Sequence, residues 1–91
     1  MKIAWTPRAA DDLDAAVDYI SADRPDAAVR VANTIYNHVL ALTTMPHLGR
    51  TGDLPGTREL VFHPWPYIAV YRVDADAVRI LRIRHASQDW P

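Results

Sequence analysis

The chain has 91 residues, 49% hydrophobic and 23% charged, with a formal net charge of −1 and no cysteine. This is the make-up of one ordinary globular domain; it excludes disulfides and thiolate metal sites, and it lacks the strong positive charge of proteins that grip nucleic acid through phosphates. No apolar run approaches the roughly 20 residues of a membrane span, and Met1–Trp5 lacks the order of a signal peptide, so a cytoplasmic protein with no membrane contact is expected.

Lys2–Trp5 reads as a short strand with Ile3 and Trp5 on one side. Thr6-Pro7 then opens a helix, Thr6 as the cap and Pro7 at the first helical position, where its missing N–H costs nothing. Ala9, Leu13, Ala16, Val17 and Ile20 share one face of this helix, which is expected to run to about Ser21. Asp11 and Asp12 lie near its positive end. Pro25 opens a second helix, in which Ala28, Val31, Ala32, Ile35, Val39 and Leu42 recur at three- and four-residue steps over roughly 20 residues, to Met45-Pro46. The short connection makes the two an antiparallel αα-hairpin.

Pro46 to Thr57, with Gly49, Gly52, Pro55 and Gly56, reads as a loop. Arg58–Phe62, Tyr67–Val73 and Ala77–His85 read as strands, separated by the turns His63–Pro66 and Asp74–Asp76; the last two strands form a hairpin. The fold class is therefore α+β: a mainly antiparallel four-stranded sheet, in the order β-α-α-β-β-β, with the helical hairpin on one face. The other face is expected to meet solvent or a partner. Strict alternation places Leu81, Ile83 and His85 on one side of the last strand and Val78, Ile80, Arg82 and Arg84 on the other. Tyr67, Ala69 and Tyr71 separate likewise from Ile68, Val70 and Arg72, and alternation alone does not say which set meets the helices.

Charge is divided along the chain. Asp11, Asp12, Asp14, Asp18, Asp23 and Asp26 precede Met45, whereas Arg50, Arg58, Arg72, Arg79, Arg82 and Arg84 follow it. Arginine suits bidentate contact with carboxylate or phosphate. The aspartates of the first helix read as a solvated face. His38, His47, His63 and His85 show no metal-ligand spacing, the glycines form no phosphate loop, and no cofactor is expected. Trp5, Tyr19, Tyr36, Phe62, Tyr67 and Tyr71 read as core, while Trp65, in a turn between prolines, and Trp90, near the end, read as docking on the domain or on a partner.

Five local patterns in this order resemble the RelE/ParE superfamily of bacterial type II toxins over nearly the whole chain. They are Trp5-Thr6-Pro7-Arg8-Ala9-Ala10-Asp11-Asp12-Leu13, Met45-Pro46-His47-Leu48-Gly49-Arg50, Thr57-Arg58-Glu59-Leu60-Val61, Pro66–Val73, and Ile80–His85 followed by Asp89-Trp90. The resemblance implies a toxin held inactive by a small, co-transcribed, DNA-binding antitoxin, in a complex of higher order. It also implies one of two targets: the ribosome, where such a toxin cleaves mRNA, or DNA gyrase, which it poisons without being a nuclease.

Metal-free RNA cleavage needs a proton-transfer group and a phosphate clamp. His85 is the candidate for the first, and Arg82 or Arg58 for the second. Partner or target contact falls on Arg50, Arg58, Arg82, Arg84, Trp65 and Trp90. Three departures favour the gyrase branch. Tyr67 stands where the ribonuclease branch commonly has an arginine, lysine- and arginine-rich loops are absent, and the helical hairpin is long and uninterrupted. A third reading is a module that only binds its antitoxin.

Overall fold

The computed structural model describes residues 1–91. Its elements are β1 (Lys2–Trp5), α1 (Pro7–Asp23), α2 (Pro25–Ala41), β2 (Arg50–Thr51), β3 (Arg58–Val61), β4 (Tyr67–Val73) and β5 (Ala77–His85). Thr6 joins sheet to helix as expected. Its hydroxyl accepts from Ala9 N–H at 3.2 Å and donates to the Ile80 carbonyl at 2.8 Å, so one side chain caps α1 and ties it to β5.

Both helices are 17 residues long, and α2 stops earlier than its apolar periodicity predicts. The Thr43 and Thr44 hydroxyls donate back to the carbonyls of Leu40 (2.8 Å) and Ala41 (3.3 Å), offering the backbone an alternative to another helical turn. α1 buries Ala9 and Leu13; α2 buries Ala27, Ala28, Val31, Ile35 and Val39. Of these, Ala9, Leu13, Val31, Ile35 and Val39 share one core with Leu60, Phe62, Tyr67, Ala69, Tyr71, Val78, Ile80 and Ile83 of the sheet side. The helical hairpin therefore packs on one sheet face. Neither helix is long and apolar enough to cross a membrane.

The sheet is mainly antiparallel, in the order β1-β5-β4-β3-β2, with β1 parallel to β5. It has five strands where four were predicted, because Arg50 and Thr51, inside the expected loop, pair with Glu59 and Arg58. Two residues are too few to show a hydrophobic period, so no sequence signal marked them.

A second difference lies in β5. Val70 pairs with Arg82 but Tyr71 pairs with Ile80, which leaves Leu81 as an extra residue. This bulge resets the alternation. Val78 and Ile80 before it, and Ile83 after it, all enter the helix-side core, although strict alternation separates them. Tyr67, Ala69 and Tyr71 of β4 face the same core. Arg79, Arg82 and Arg84 consequently line the far face with Ile68, Val70 and Arg72. Two aromatics also depart from expectation: Tyr19 and Tyr36 are 81% and 54% exposed on the helices. Phe62, Tyr67 and Tyr71 are buried as expected, and Trp5 and Trp65 pack partly buried against the core.

Candidate functional site

The far face of the sheet gathers most of the arginines singled out in the sequence. Arg50 on β2 stands opposite Glu59 on β3, and its guanidinium donates to Glu59 Oε1 at 3.1 Å and 3.3 Å. Arg84 on β5 reaches the same Oε1 at 3.6 Å. Glu59 also accepts from the backbone N–H of Asp53 at 3.3 Å, which brings the loop after β2 over it. Arg84 and Glu59 side chains are only 7% and 4% exposed, whereas Arg50 is 57% exposed. The face is thus partly roofed by the chain itself, where an open surface was expected.

The C-terminal tail supplies the rest of the roof. The Trp90 ring lies 5.5 Å from the Arg82 guanidinium and 5.4 Å from that of Arg84, a cation–π contact with both. Arg84 Nε and Trp90 Nε1 are buried without any hydrogen-bond partner. Arg82 is held from the other side, since Asp12 Oδ2 accepts from its Nε at 2.7 Å and from Ile83 N–H at 3.0 Å. Asp12 therefore braces the edge of β5 beyond the point where β1 ends. It does not act in the first helical turn, which contains no acidic residue. Arg72 and Arg79 both bond Asp74, and these hydrogen bonds hold its carboxyl below the usual aspartate range.

His85 points to the opposite, helix-side face, edge-on to Tyr67 with ring centroids 5.2 Å apart. Ser87 N–H donates to its Nδ1 at 3.1 Å and the Ser87 hydroxyl lies 2.7 Å from the same atom, so the neutral ring carries its proton on Nε2. It lines an open groove of about 480 Å³ with Asp12, Tyr19, Tyr67 and Gln88, among others. Burial, and then the neighbouring Tyr19, push the Tyr67 hydroxyl above its ordinary range.

Arg58 is on the helix-side face too, at the far end of the sheet, where it pairs with Tyr71 while His85 pairs with Tyr67. Four residues of strand at about 3.3 Å each separate those positions, and Arg58 and His85 flank β4 on opposite sides. Arg58 donates to the carbonyls of Gly49 (2.9 Å) and His47 (3.4 Å). Next to it the buried Tyr71 hydroxyl donates to Pro46 O and accepts from Gly49 N–H, both at 2.8 Å. A Cβ on Gly49 would stand 2.7 Å from Glu59 O and 2.8 Å from the Tyr71 hydroxyl. These contacts give the Met45–Arg50 motif a structural role: the loop is pinned to the sheet by a tyrosine that only glycine lets so close.

Of the expected site residues, the fold therefore brings Arg50, Arg82, Arg84 and Trp90 together, along with Glu59 and Asp12, which sequence reasoning passed over. It leaves His85 on the other face, Arg58 at the other end, and Trp65 against the core. Arg82 faces away from His85 across the strand and hydrogen-bonds only its neighbour Asp12, while Arg58 lies four strand positions away.

Comparison with known proteins agrees with this architecture. A family model described as the ParE toxin of the type II toxin–antitoxin system parDE matches residues 3–90. Candidate toxin Y4kP of Sinorhizobium fredii is 48% identical over 90 residues, covering 99% of this chain and 93% of that protein. Toxin RelE2 of Caulobacter vibrioides is 40% identical over 87 residues, covering 96% and 97%. A solved chain of the chromosomal ParDE system from P. aeruginosa superimposes with a TM-score of 0.86 at 33% identity, covering 96% of this chain and 97% of that one. The chain belongs to the family of ParE toxins of type II toxin–antitoxin systems.

Proposed function

We propose that the chain arrests growth by poisoning DNA gyrase and is silenced by a cognate antitoxin. The observation that carries the choice of target is the dispersal of the acid–base candidate and its phosphate clamps. RNA cleavage requires both at one phosphate, and here His85 and Arg82 occupy opposite sheet faces while Arg58 sits at the far end. Poisoning another protein asks only for a shaped surface. Purified chain should inhibit gyrase supercoiling or trap cleaved DNA while leaving translation intact; blocked translation with unimpaired gyrase overturns the reading.

The antitoxin is proposed to cover the exposed apolar side of α2. Val29, Tyr36 and Leu40 stand 60%, 54% and 61% exposed, at spacings that place them on one helical stripe. Tyr36 and Leu40 border an apolar groove with Ile3, Trp5 and Val39. Tyr36 also lines the cleft between the helices with Leu13, Val17 and Ala32. Such a surface suits an amphipathic helix from the partner. Leu40→Asp should abolish co-purification with the antitoxin without unfolding the toxin, and unchanged co-purification removes α2 from the interface.

The ribonuclease reading draws on two observations: His85 lines a groove with Tyr67, and one relative carries the name RelE2. It requires new mRNA ends after induction that disappear with His85→Ala. A module that only binds its antitoxin would cause no arrest when expressed alone.

A further inference from the structure

We propose that the Arg50–Arg84–Trp90 cluster is a receptor for a carboxylate side chain of the antitoxin, with Trp90 as the ring that swings aside to admit it. The inference rests on the toxin–antitoxin reading and adds the contact chemistry.

The first observation is charge. On the far face five guanidiniums, those of Arg50, Arg72, Arg79, Arg82 and Arg84, are paired with three carboxylates, those of Asp12, Glu59 and Asp74. Arg72 and Arg79 share Asp74 at the turn end, and Arg82 shares Asp12 with Arg8 of α1. Arg50 and Arg84 must share Glu59. A second carboxylate beside Arg84 would therefore complete the pairing.

The second observation is unsatisfied donors. Arg84 is 7% exposed, and its Nε has no acceptor; the neighbouring Trp90 Nε1 has none either. Buried donors without acceptors cost free energy, and a cation is the costliest kind to leave so. The unpaired Nε of a buried guanidinium calls for an oxygen acceptor carrying negative charge.

The third observation is how the lid is held. Gln88 is fastened, through its N–H to His85 O at 3.0 Å and its Oε1 to His85 N–H at 2.7 Å. Beyond it, Trp90 is anchored by stacking on the two guanidiniums, and its indole N–H bonds nothing. Rotation of this last segment uncovers Arg84 Nε while the strand stays in place.

A peptide carboxylate fits better than a nucleic-acid phosphate. A phosphodiester chain needs a run of uncommitted cations, whereas here Glu59, Asp12 and Asp74 are interleaved with the arginines and would repel successive phosphates. A single acidic side chain meets the one buried guanidinium, whose Nε has no acceptor.

The ¹⁵N–¹H signals of Arg84 Nε and Trp90 Nε1 in the labelled full chain report this site directly, assigned with Arg84→Lys and Trp90→Phe. Hexaglutamate added at constant ionic strength should move both signals saturably. Arg50→Gln, an exposed change, should weaken that binding, and Glu59→Gln, if folded, should strengthen it. Unmoved signals, an unaltered affinity in Arg50→Gln, or tighter binding of hexauridylate than of hexaglutamate would each overturn the proposal. Rescue of growth by a co-expressed cognate antitoxin is scored separately. Rescue with unmoved signals rejects this receptor alone, and shifted signals with no antitoxin complex reject the toxin–antitoxin reading alone.

Discussion

The helical layer and the far face of the sheet are held together by different physics. The helices bury aliphatic side chains against the sheet and turn Asp11, Asp14 and Asp18 outward to water. On the far face a glutamate and an arginine are as buried as many core residues and are held by ion pairs, a loop amide and a tryptophan lid. The first arrangement stabilises through area removed from water; the second depends on each charge keeping its partner. A layer of the first kind tolerates changes that conserve volume, while the second tolerates few single changes.

Truncations on the two sides sharpen this contrast. Ile35→Ala, at a fully buried position of α2, should cost about 4 kcal/mol in urea unfolding. Glu59→Ala should cost about 3 kcal/mol, because it strands Arg84 in a buried position; a neutral result would show that the far face owes nothing to its ion pairs. Tyr71→Phe should cost about 2 kcal/mol, since Gly49 N–H and Pro46 O lose their shared hydroxyl.

Tyr71 also predicts a pH dependence. Burial raises its hydroxyl above the ordinary value of 10.0, against opposing effects from the Gly49 amide and Arg58. A raised folded-state value means that the stabilisation is complete below pH 10 and declines as pH climbs through that higher value. Unfolding measured between neutral and strongly alkaline pH should show this loss, and Tyr71→Phe should reduce it. Smallest is Thr6→Ala, at about 1 kcal/mol for the lost cap, detectable in the same urea experiment.

Legibility in the sequence follows the same division. The helix starts at Pro7 and Pro25, the Thr6 cap, the β4–β5 hairpin and the placement of the helices on one sheet face could all be read, because each rests on local chemistry or on a regular period. The α2 end, the two-residue β2 and the Leu81 bulge could not. The first depends on threonine hydroxyls turning back on the last helical carbonyls, the second on pairing with β3, and the third on one extra residue that leaves the hydrophobic pattern intact. The bulge then carried a further error, separating Val78 and Ile80 from Ile83. Exposed Tyr19 and Tyr36 escaped for a related reason: aromatic residues at helical spacing look the same whether they meet a core or a partner. In the candidate site the arginines and Trp90 were visible as chemistry, but Glu59 and Asp12, which decide how those arginines are held, appear in the sequence as ordinary surface acids.

The surplus residue at Leu81 divides its strand into two halves that obey separate rules. Upstream, Val78 and Ile80 are bound by the requirements of the interior and by the parallel neighbour. Downstream, the outward positions Arg82 and Arg84 answer instead to their acidic partners, Asp12 and Glu59. The surplus is absorbed locally: a single-codon deletion at Leu81 would close the bulge with Ile80 still opposite Tyr71 and Arg82 still opposite Val70, so both guanidiniums would keep to the far face.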